Sequence, residues 1–256
     1  AFMLKLIFSD LDDTLLDSKK TVSDETINFI KDLKDTLFIV NSGRLPYNME
    51  LIKQYIDLSN MVCCNGAYII LDGKLIYSCC LDKKDAYELL DYAYSKGYSP
   101  RLYLDSGLYI TEESKMLTAV KVNMVTKTKL FDLIKKENAY KIAFYDRNVE
   151  NLEDIKCFVD SIENIICEYS DSDFLECHHK DTSKGNAIDI VSNLLNVKPD
   201  EILAIGDNEN DLSMFNRGYH SACPSNACDK VKRVVEYVSP LDCNHDAMVD
   251  IIKHFL

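Results

Sequence analysis

Residues 4–15 of the chain read LKLIFSDLDDTL, an apolar run that ends in a group of carboxylates. Residues 4–9 have the length and apolar character of a buried strand, and residues 10–17 are the acidic loop that leaves it. In open α/β sheets, ligands bind at the carboxyl ends of the strands, where such a loop lies. The carboxylates of Asp10 and Asp12 can converge on one site if this loop turns sharply. A solvated acidic loop is the alternative for this stretch taken alone.

The same arrangement returns near the end of the chain. Residues 201–205 are predicted to form another buried strand, followed by Gly206 and the acidic residues Asp207 and Asp211. Carboxylate oxygens are ligands that hard cations prefer. Crowded carboxylates repel each other unless a cation neutralises them. Two such loops therefore predict a magnesium site, although a helix N-terminal cap would also explain the second loop alone.

Two further segments carry groups that can hold phosphate. Ser42, Gly43 and Arg44 follow a predicted strand over residues 36–40 and offer a hydroxyl and exposed backbone N–H groups. Lys184 stands at the start of a predicted helix over residues 183–195. Taken alone, a lysine at that position is more often a surface charge.

The order of predicted elements divides the chain into a core and an insertion. Strands and helices alternate before residue 81 and again after residue 181, with helices that begin at Ser23 and Pro46 and one through residues 212–215. This order predicts an α/β fold, a doubly wound Rossmann-like core with a parallel sheet over residues 1–81 and 181–256. Residues 82–180 read instead as helices and short alternating strands, which predict an inserted α+β cap domain with an antiparallel sheet.

Composition limits the class of protein. The chain has 256 residues, of which 47% are hydrophobic, and a net charge of −13. Such a chain is expected to pack into a globular protein, and its charge argues against nucleic-acid and anionic-membrane partners. We see no apolar run approaching the roughly 20 residues that span a bilayer and no secretory signal. The ten cysteines contain no C-x-x-C motif, which favours a reduced, cytoplasmic protein. No protein partner is implied.

The ordered motifs together resemble the haloacid-dehalogenase superfamily. They are Asp10-x-Asp12-x-Thr14, Ser42, Lys184 and Gly206-Asp207-x-x-Asn210-Asp211. Within that superfamily the chain is similar to the Cof-like group, which carries a large α/β cap between the second and third motifs. The resemblance spans nearly the whole chain and includes Asn65-Gly66-Ala67 and Ser225-Asn226-Ala227. Ser42 stands where the group more often has threonine, and it keeps the hydroxyl.

The resemblance implies a magnesium-dependent phosphatase that hydrolyses a small phosphorylated metabolite. Asp10 would attack phosphorus and form an aspartyl-phosphate, and Asp12 would act as general acid and then base. Lys184 would offset charge on the nucleophile. The metal would be held by Asp10, Asp207 and the backbone carbonyl of Asp12, with Asp211 in the surrounding shell. The phosphoryl oxygens would be held by Ser42, Lys184, Asn210 and the backbone around Leu11 and Gly43.

Other functions share part of this pattern. A phosphotransferase or phosphomutase on the same scaffold has the same motifs. A receiver-like signalling domain shares the acidic loop but needs neither the Gly206 loop nor a cap, and a silent phosphate-binding regulator needs no general acid. Cys177-His178-His179 contains metal-ligand types, but its spacing fits no common zinc pattern. Several residues are candidates to face the substrate: Arg44, Arg101, Tyr103, Tyr145, Arg147 and His178.

Overall fold

In a computed structural model of the chain, residues 3–114 and 122–256 are described. They divide into two compact units. The first comprises the described part of Ala1–Arg44 with Met49–Tyr77 and Ser183–Leu256. The second comprises Leu45–Asn48 and the described part of Ser78–Thr182.

Strands and helices are numbered along the whole chain. The strands are β1 Leu6–Ser9, β2 Leu37–Asn41, β3 Met61–Cys63, β4 Tyr68–Leu71, β5 Lys74–Ser78, β6 Pro100–Leu104, β7 Gly107–Ile110, β8 Asn123–Met124, β9 Ala139–Tyr145, β10 Ile165–Asp171, β11 Phe174–His179, β12 Ile202–Ile205, β13 His220–Cys223 and β14 Tyr237–Val238. The α-helices are α1 Asp24–Lys31, α2 Lys83–Ser95, α3 Lys127–Lys136, α4 Val149–Val159, α5 Lys184–Leu195, α6 Asp229–Lys232 and α7 Ala247–Phe255.

The first unit is built on an eight-stranded sheet in the order β14-β13-β12-β1-β2-β3-β4-β5. From β14 to β3 neighbouring strands are parallel, and β4 pairs antiparallel with β3. The strands at the centre of the sheet, β1 and β12, are buried along their whole length because they are apolar on both faces. The predicted α/β class with a parallel-sheet core is confirmed.

Helix α5 packs its apolar face, with Ile188 and Val191, into the same core as Phe8 and Ala204 of the sheet. Its first residue is Lys184, and the side chain of Ser183 caps it by accepting a hydrogen bond from the Asn186 N–H at 3.0 Å. Helix α1 begins in the same way, since Ser23 Oγ accepts from the Thr26 N–H at 3.0 Å. Both caps lie where the sequence predicts a helix to begin.

The second unit has a six-stranded sheet in the order β10-β11-β9-β6-β7-β8. All of its pairs are antiparallel except β7 with β8. The core of this unit contains Leu89 of α2, Ile134 of α3 and Ile155 of α4 together with Ile142 and Leu175 of the sheet.

Two of the predicted helices differ in form from the prediction. The segment that begins at Pro46 is a 3₁₀ helix, Pro46–Ile52, and the Lys53 and Tyr55 N–H groups continue its pattern by donating to carbonyls three residues back. The segment through Leu212 is also a 3₁₀ helix, Glu209–Met214. There the Asn208 side chain and the Asp211 carboxylate accept from backbone N–H groups at the beginning of the segment. Local bonds of this kind compete with the α-helical pattern.

The expectation that every cysteine is reduced is wrong for one pair. Cys167 of β10 and Cys177 of β11 form a disulfide. The sequence gives no signal of it, because the bond depends on the register of two antiparallel strands that places these residues opposite each other. Among the described residues, none of the helices is long and apolar enough to cross a bilayer.

Candidate active site

Three of the predicted segments leave the sheet of the first unit at the same edge. Ser9 at the end of β1 lies opposite Val40 of β2 and Ile205 of β12. Since the strands are parallel, the residues that follow them continue past the same edge. Asp10, Ser42 and Asp207 therefore belong to one cluster of loops.

Lys184 connects two acidic residues of this cluster. Its Nζ donates to Asp10 Oδ1 at 2.5 Å and to Asp211 Oδ1 at 2.6 Å. The lysine side chain and that of Asp211 have no exposed surface. Burial alone would lower the pKa of Lys184, but the charges of Asp10 and Asp211 outweigh it and raise that pKa well above its ordinary value. Lys184 is thus a permanent cation beside Asp10 and not a surface charge.

The site has more negative than positive charge. One carboxylate oxygen each of Asp10, Asp207 and Asp211 can be chosen so that all three lie within 4.8 Å of one another. Burial, and then the charge of Asp211, raise the pKa of Asp10 to about 7. Burial and the charges of Asp10 and Asp211 also raise the pKa of Asp207 well above its ordinary value. Buried carboxylates whose pKa values are raised in this way are suitable oxygen ligands for a divalent cation, which would relieve their mutual repulsion.

Thr14 holds the second acidic loop against the first. Its hydroxyl donates to Asp207 Oδ1 at 2.5 Å. The first loop can bring Thr14 to that position because Asp13 has a left-handed backbone, with φ of 58°, and redirects the chain after Asp12. The motif Asp10-x-Asp12-x-Thr14 contains this threonine, and its fixed spacing from Asp10 is the one sequence signal of its role.

The carboxylate of Asp12 contacts two positively charged side chains. Arg44 forms a two-bond contact with its carboxylate, with Nε to Oδ2 at 3.0 Å and the terminal nitrogen to Oδ1 at 2.7 Å. Lys20 lies 3.2 Å from the same carboxylate. Burial raises the pKa of Asp12, but Arg44 and then Lys20 outweigh that effect and hold it below its ordinary value. The sequence marked Arg44 only as one of several candidates to face the substrate.

Asp211 orients the loop that carries Asp207. Its Oδ2 accepts from the backbone N–H groups of Asp207 and Asn208 at 2.8 and 3.0 Å, while its Oδ1 accepts from Lys184. Gly206 is required here, because a Cβ at that position would lie 2.4 Å from the Asp211 carboxyl carbon. Both oxygens of Asp211 therefore already have protein donors.

The remaining predicted residues lie on the same loops. Ser42 is almost fully buried and its hydroxyl accepts from the Arg44 N–H at 3.2 Å. Asn210 is buried, Gly43 is half-buried, and Leu11 has no exposed surface.

The rival zinc pattern finds no support among the residues that the structure describes. Cys177 is in the disulfide, and His178 contacts Thr182 and Glu168. Within residues 3–114 and 122–256, the Asp10, Asp207 and Asp211 cluster is the one group found that could hold a metal.

Comparison with known proteins identifies the family. The profile of haloacid dehalogenase-like hydrolases matches residues 7–252. The chain belongs to this hydrolase family. Its Cof-like character is also supported, which agrees with the sequence motifs.

Relatives of this hydrolase are similar over nearly their full length. Phosphoglycolate phosphatase of Picrophilus torridus is 25% identical, over 99% of this chain and 92% of its own. The Bacillus subtilis enzyme 5-amino-6-(5-phospho-D-ribitylamino)uracil phosphatase YwtE is 25% identical, over 92% and 93%. A haloacid dehalogenase-like hydrolase structure from B. subtilis superposes with a TM-score of 0.89 at 24% identity, over 99% and 100%. The family and these relatives support the predicted phosphatase activity.

Proposed function

We propose that this hydrolase is a magnesium-dependent phosphatase that cleaves small phosphomonoesters through an aspartyl-phosphate on Asp10. The observation that carries the proposal is the contact of the fully buried Lys184 ammonium with Asp10 at 2.5 Å. A lysine in that position neutralises the nucleophile and can bind an incoming phosphoryl oxygen.

In the first step, a carboxylate oxygen of Asp10 bonds to phosphorus and the bond from phosphorus to the ester oxygen breaks. Asp12 in its protonated form gives its proton to the departing oxygen. In the second step, a water oxygen attacks phosphorus while Asp12 accepts a water proton. The acyl-phosphate bond then breaks, which restores the Asp10 carboxylate and releases inorganic phosphate.

The residues around Asp10 divide between metal and phosphate. Asp10, Asp207 and the Asp12 carbonyl would hold Mg²⁺, and Asp211 would orient the loop around it. The bound cation would supply charge neutralisation for the phosphoryl group and for the nucleophile. Ser42, Asn210 and Lys184, with backbone N–H groups near Leu11 and Gly43, would hold the phosphoryl oxygens.

The relatives favour a small phosphorylated metabolite as the substrate. The enzymes from P. torridus and B. subtilis are named for phosphoglycolate and for 5-amino-6-(5-phospho-D-ribitylamino)uracil. Both names denote small phosphomonoesters of different shapes. We infer the same substrate class here.

The proposal is tested with p-nitrophenyl phosphate. Turnover should cease in EDTA and return with Mg²⁺. Asp10→Asn should lose at least about 10³-fold in kcat, as expected when a nucleophile is removed. Asp13→Asn is the matched control, because Asp13 lies in the same loop, its side chain is about half exposed, and asparagine tolerates its left-handed backbone. Metal-independent turnover, or equal loss in both variants, would overturn the proposal.

We further propose that the predicted insertion, residues 82–180, sets the choice of substrate, as a cap that excludes water from the reactive intermediate. A variant in which residue 81 is joined to residue 181 should keep weak turnover of p-nitrophenyl phosphate. It should lose discrimination among natural phosphomonoesters. Circular dichroism would establish that the shortened chain is folded, and a folded variant with unchanged selectivity contradicts the proposal.

A further inference from the structure

A short buried loop, Cys64–Gly66, has an unusual backbone. All three residues have positive φ, 53° at Cys64, 53° at Asn65 and 92° at Gly66. Cys64 and Asn65 have no exposed surface. The left-handed region is unfavourable for a residue such as cysteine, and it persists only where the surrounding structure imposes it. The neighbours of this loop are therefore informative.

On one side the loop binds the segment that contains Ser42. The Asn65 N–H donates to the Ser42 carbonyl at 3.1 Å, and the Cys64 N–H donates to the Arg44 carbonyl at 2.9 Å. The Ser42 N–H is in turn held by the Val62 carbonyl of β3 at 2.9 Å. With left-handed backbone at Cys64 and Asn65, these two consecutive N–H groups both point to the segment that contains Ser42.

On the other side the loop lies against the beginning of α5. A Cβ on Gly66 would be 2.1 Å from the carbonyl oxygen of Ser183, so a side chain there requires the backbone of Ser183 to move. That carbonyl accepts the Ala187 N–H at 3.1 Å in the first turn of the helix. Lys184 is the next residue, and its ammonium contacts Asp10.

We propose that Cys64–Gly66 is a positioning element that fixes the separation between Ser42 and Lys184. It acts through backbone contacts with both segments and does not itself touch the substrate. The inference rests on the proposed function, because it treats Ser42 and Lys184 as the residues that hold the phosphoryl group. It means that phosphate binding is also sensitive to residues that lie outside the four motifs.

The first test compares Gly66→Ala with Gly73→Ala. Both glycines have positive φ, but a Cβ on Gly73 meets no atom within 4 Å. Both variants therefore carry the same kind of backbone cost, and only Gly66→Ala displaces Ser183. We expect kcat/KM for p-nitrophenyl phosphate to fall about 100-fold in Gly66→Ala, as for a misplacement of about 1 Å in an active site. Gly73→Ala should stay within about twofold of wild type, since it lies in an exposed turn.

A second pair guards against the possibility that Gly66→Ala does not fold. Cys63 and Cys64 are adjacent and fully buried, but Cys63 has extended backbone with φ of −122°. Valine adds similar bulk at either position, and its branched Cβ favours extended backbone and strongly disfavours positive φ. Cys64→Val should weaken phosphate binding, and Cys63→Val should not.

The deciding readout is the inhibition constant of inorganic phosphate, measured with the melting temperature of each variant. Loss of folded protein lowers the apparent kcat but leaves this constant and KM unchanged. If the loop positions Ser42 and Lys184, the inhibition constant of phosphate should rise at least about tenfold in Gly66→Ala and Cys64→Val. A rise of that size is equivalent to the loss of one charge-assisted hydrogen bond. Unchanged constants in folded Gly66→Ala, or in folded Cys64→Val if the glycine variant does not fold, overturn the inference alone. Absence of turnover by the wild-type enzyme overturns the proposed function itself.

Discussion

Asp12 is the residue on which both steps of the proposed reaction depend, because it must give a proton and then accept one. Asp12→Asn leaves Asp10 able to attack but provides no base for the hydrolytic step. With p-nitrophenyl phosphate, whose leaving group hardly needs a proton, phosphoenzyme should accumulate. With a sugar phosphate, even the first step should stall. Acid quenching with labelled substrate measures this.

The control for that experiment is Asp10→Asn, which removes the nucleophile. No label should be trapped on it with either substrate. If both acids only held metal, the two variants would fail alike with every substrate. Label on Asp10→Asn, or none on Asp12→Asn with the activated ester, contradicts the assigned roles.

Arg44 is the residue that sets the charge of Asp12. Burial raises the pKa of Asp12, and Arg44 contributes more than Lys20 to lowering it. Arg44→Met should therefore raise the pKa of Asp12 toward or above its ordinary value. Water activation requires ionised Asp12. The acid limb of the pH profile for breakdown of the phosphoenzyme formed from p-nitrophenyl phosphate, a step in which esterified Asp10 cannot titrate, should therefore move to higher pH. Lys20→Met is the weaker control, since Lys20 is half-exposed and lies 3.2 Å away. Equal shifts, or none in Arg44→Met, contradict this role.

At the residue scale, sequence could name the acidic residues but not their partners. Asp10 and Asp207 follow apolar runs, and that pattern is visible in one dimension. The contacts of Thr14 with Asp207 and of Arg44 with Asp12 are not, because each depends on the path of a loop with left-handed residues. Lys184 was ambiguous in sequence because only its burial, which the sequence does not show, distinguishes it from a surface charge.

The elements were predictable where apolar periodicity and local caps agree. Ser183 and Ser23 both mark real helix beginnings, and the central strands β1 and β12 are continuous apolar runs. The form of the Glu209–Met214 helix was not predictable. Its apolar spacing resembles that of an α-helix, but the carboxylate of Asp211 takes up the N–H groups before it. Side-chain bonds to the backbone there prevail over periodicity.

The β10–β11 pair carries a prediction of its own. Cys167 and Cys177 form a disulfide between these strands, and the other eight cysteines remain thiols. Denatured protein that has not been reduced should therefore react with eight equivalents of a thiol reagent, and reduction should raise the number to ten.

Two variants make this thiol count specific to the pair. Cys177→Ser should give one thiol more than wild type without reduction, because it releases Cys167. Cys157→Ser, which removes an exposed cysteine outside the pair, should give one fewer. Ten reactive thiols in unreduced wild-type protein would exclude the disulfide under those conditions.

At the scale of the whole molecule, the acidic site should cost stability when no cation is bound. The folded protein keeps the Asp10 proton up to a pKa of about 7, whereas the unfolded chain releases it near 3.8. Between these values the folded state binds more protons, so the free energy of unfolding falls as pH rises. One pKa unit corresponds to about 1.4 kcal/mol, which makes the whole effect on the order of 4 kcal/mol.

Melting temperatures of metal-free wild type and Asp10→Asn at pH 5 and pH 8 test this cost. Asparagine cannot ionise, so the variant should gain stability relative to wild type as pH rises, by about 2–4 °C for each kcal/mol. Groups that do not interact with Asp10 cancel in this difference. The charge of Asp10 raises the pKa of Asp207, so that pKa is raised less in the variant, which adds to the same trend. Mg²⁺ at pH 8 should then stabilise wild type by about 2.7 kcal/mol at a hundredfold excess over its dissociation constant, and Asp10→Asn by less. A difference between the two proteins that is the same at both pH values, or that Mg²⁺ leaves unchanged, contradicts a cation site formed around Asp10.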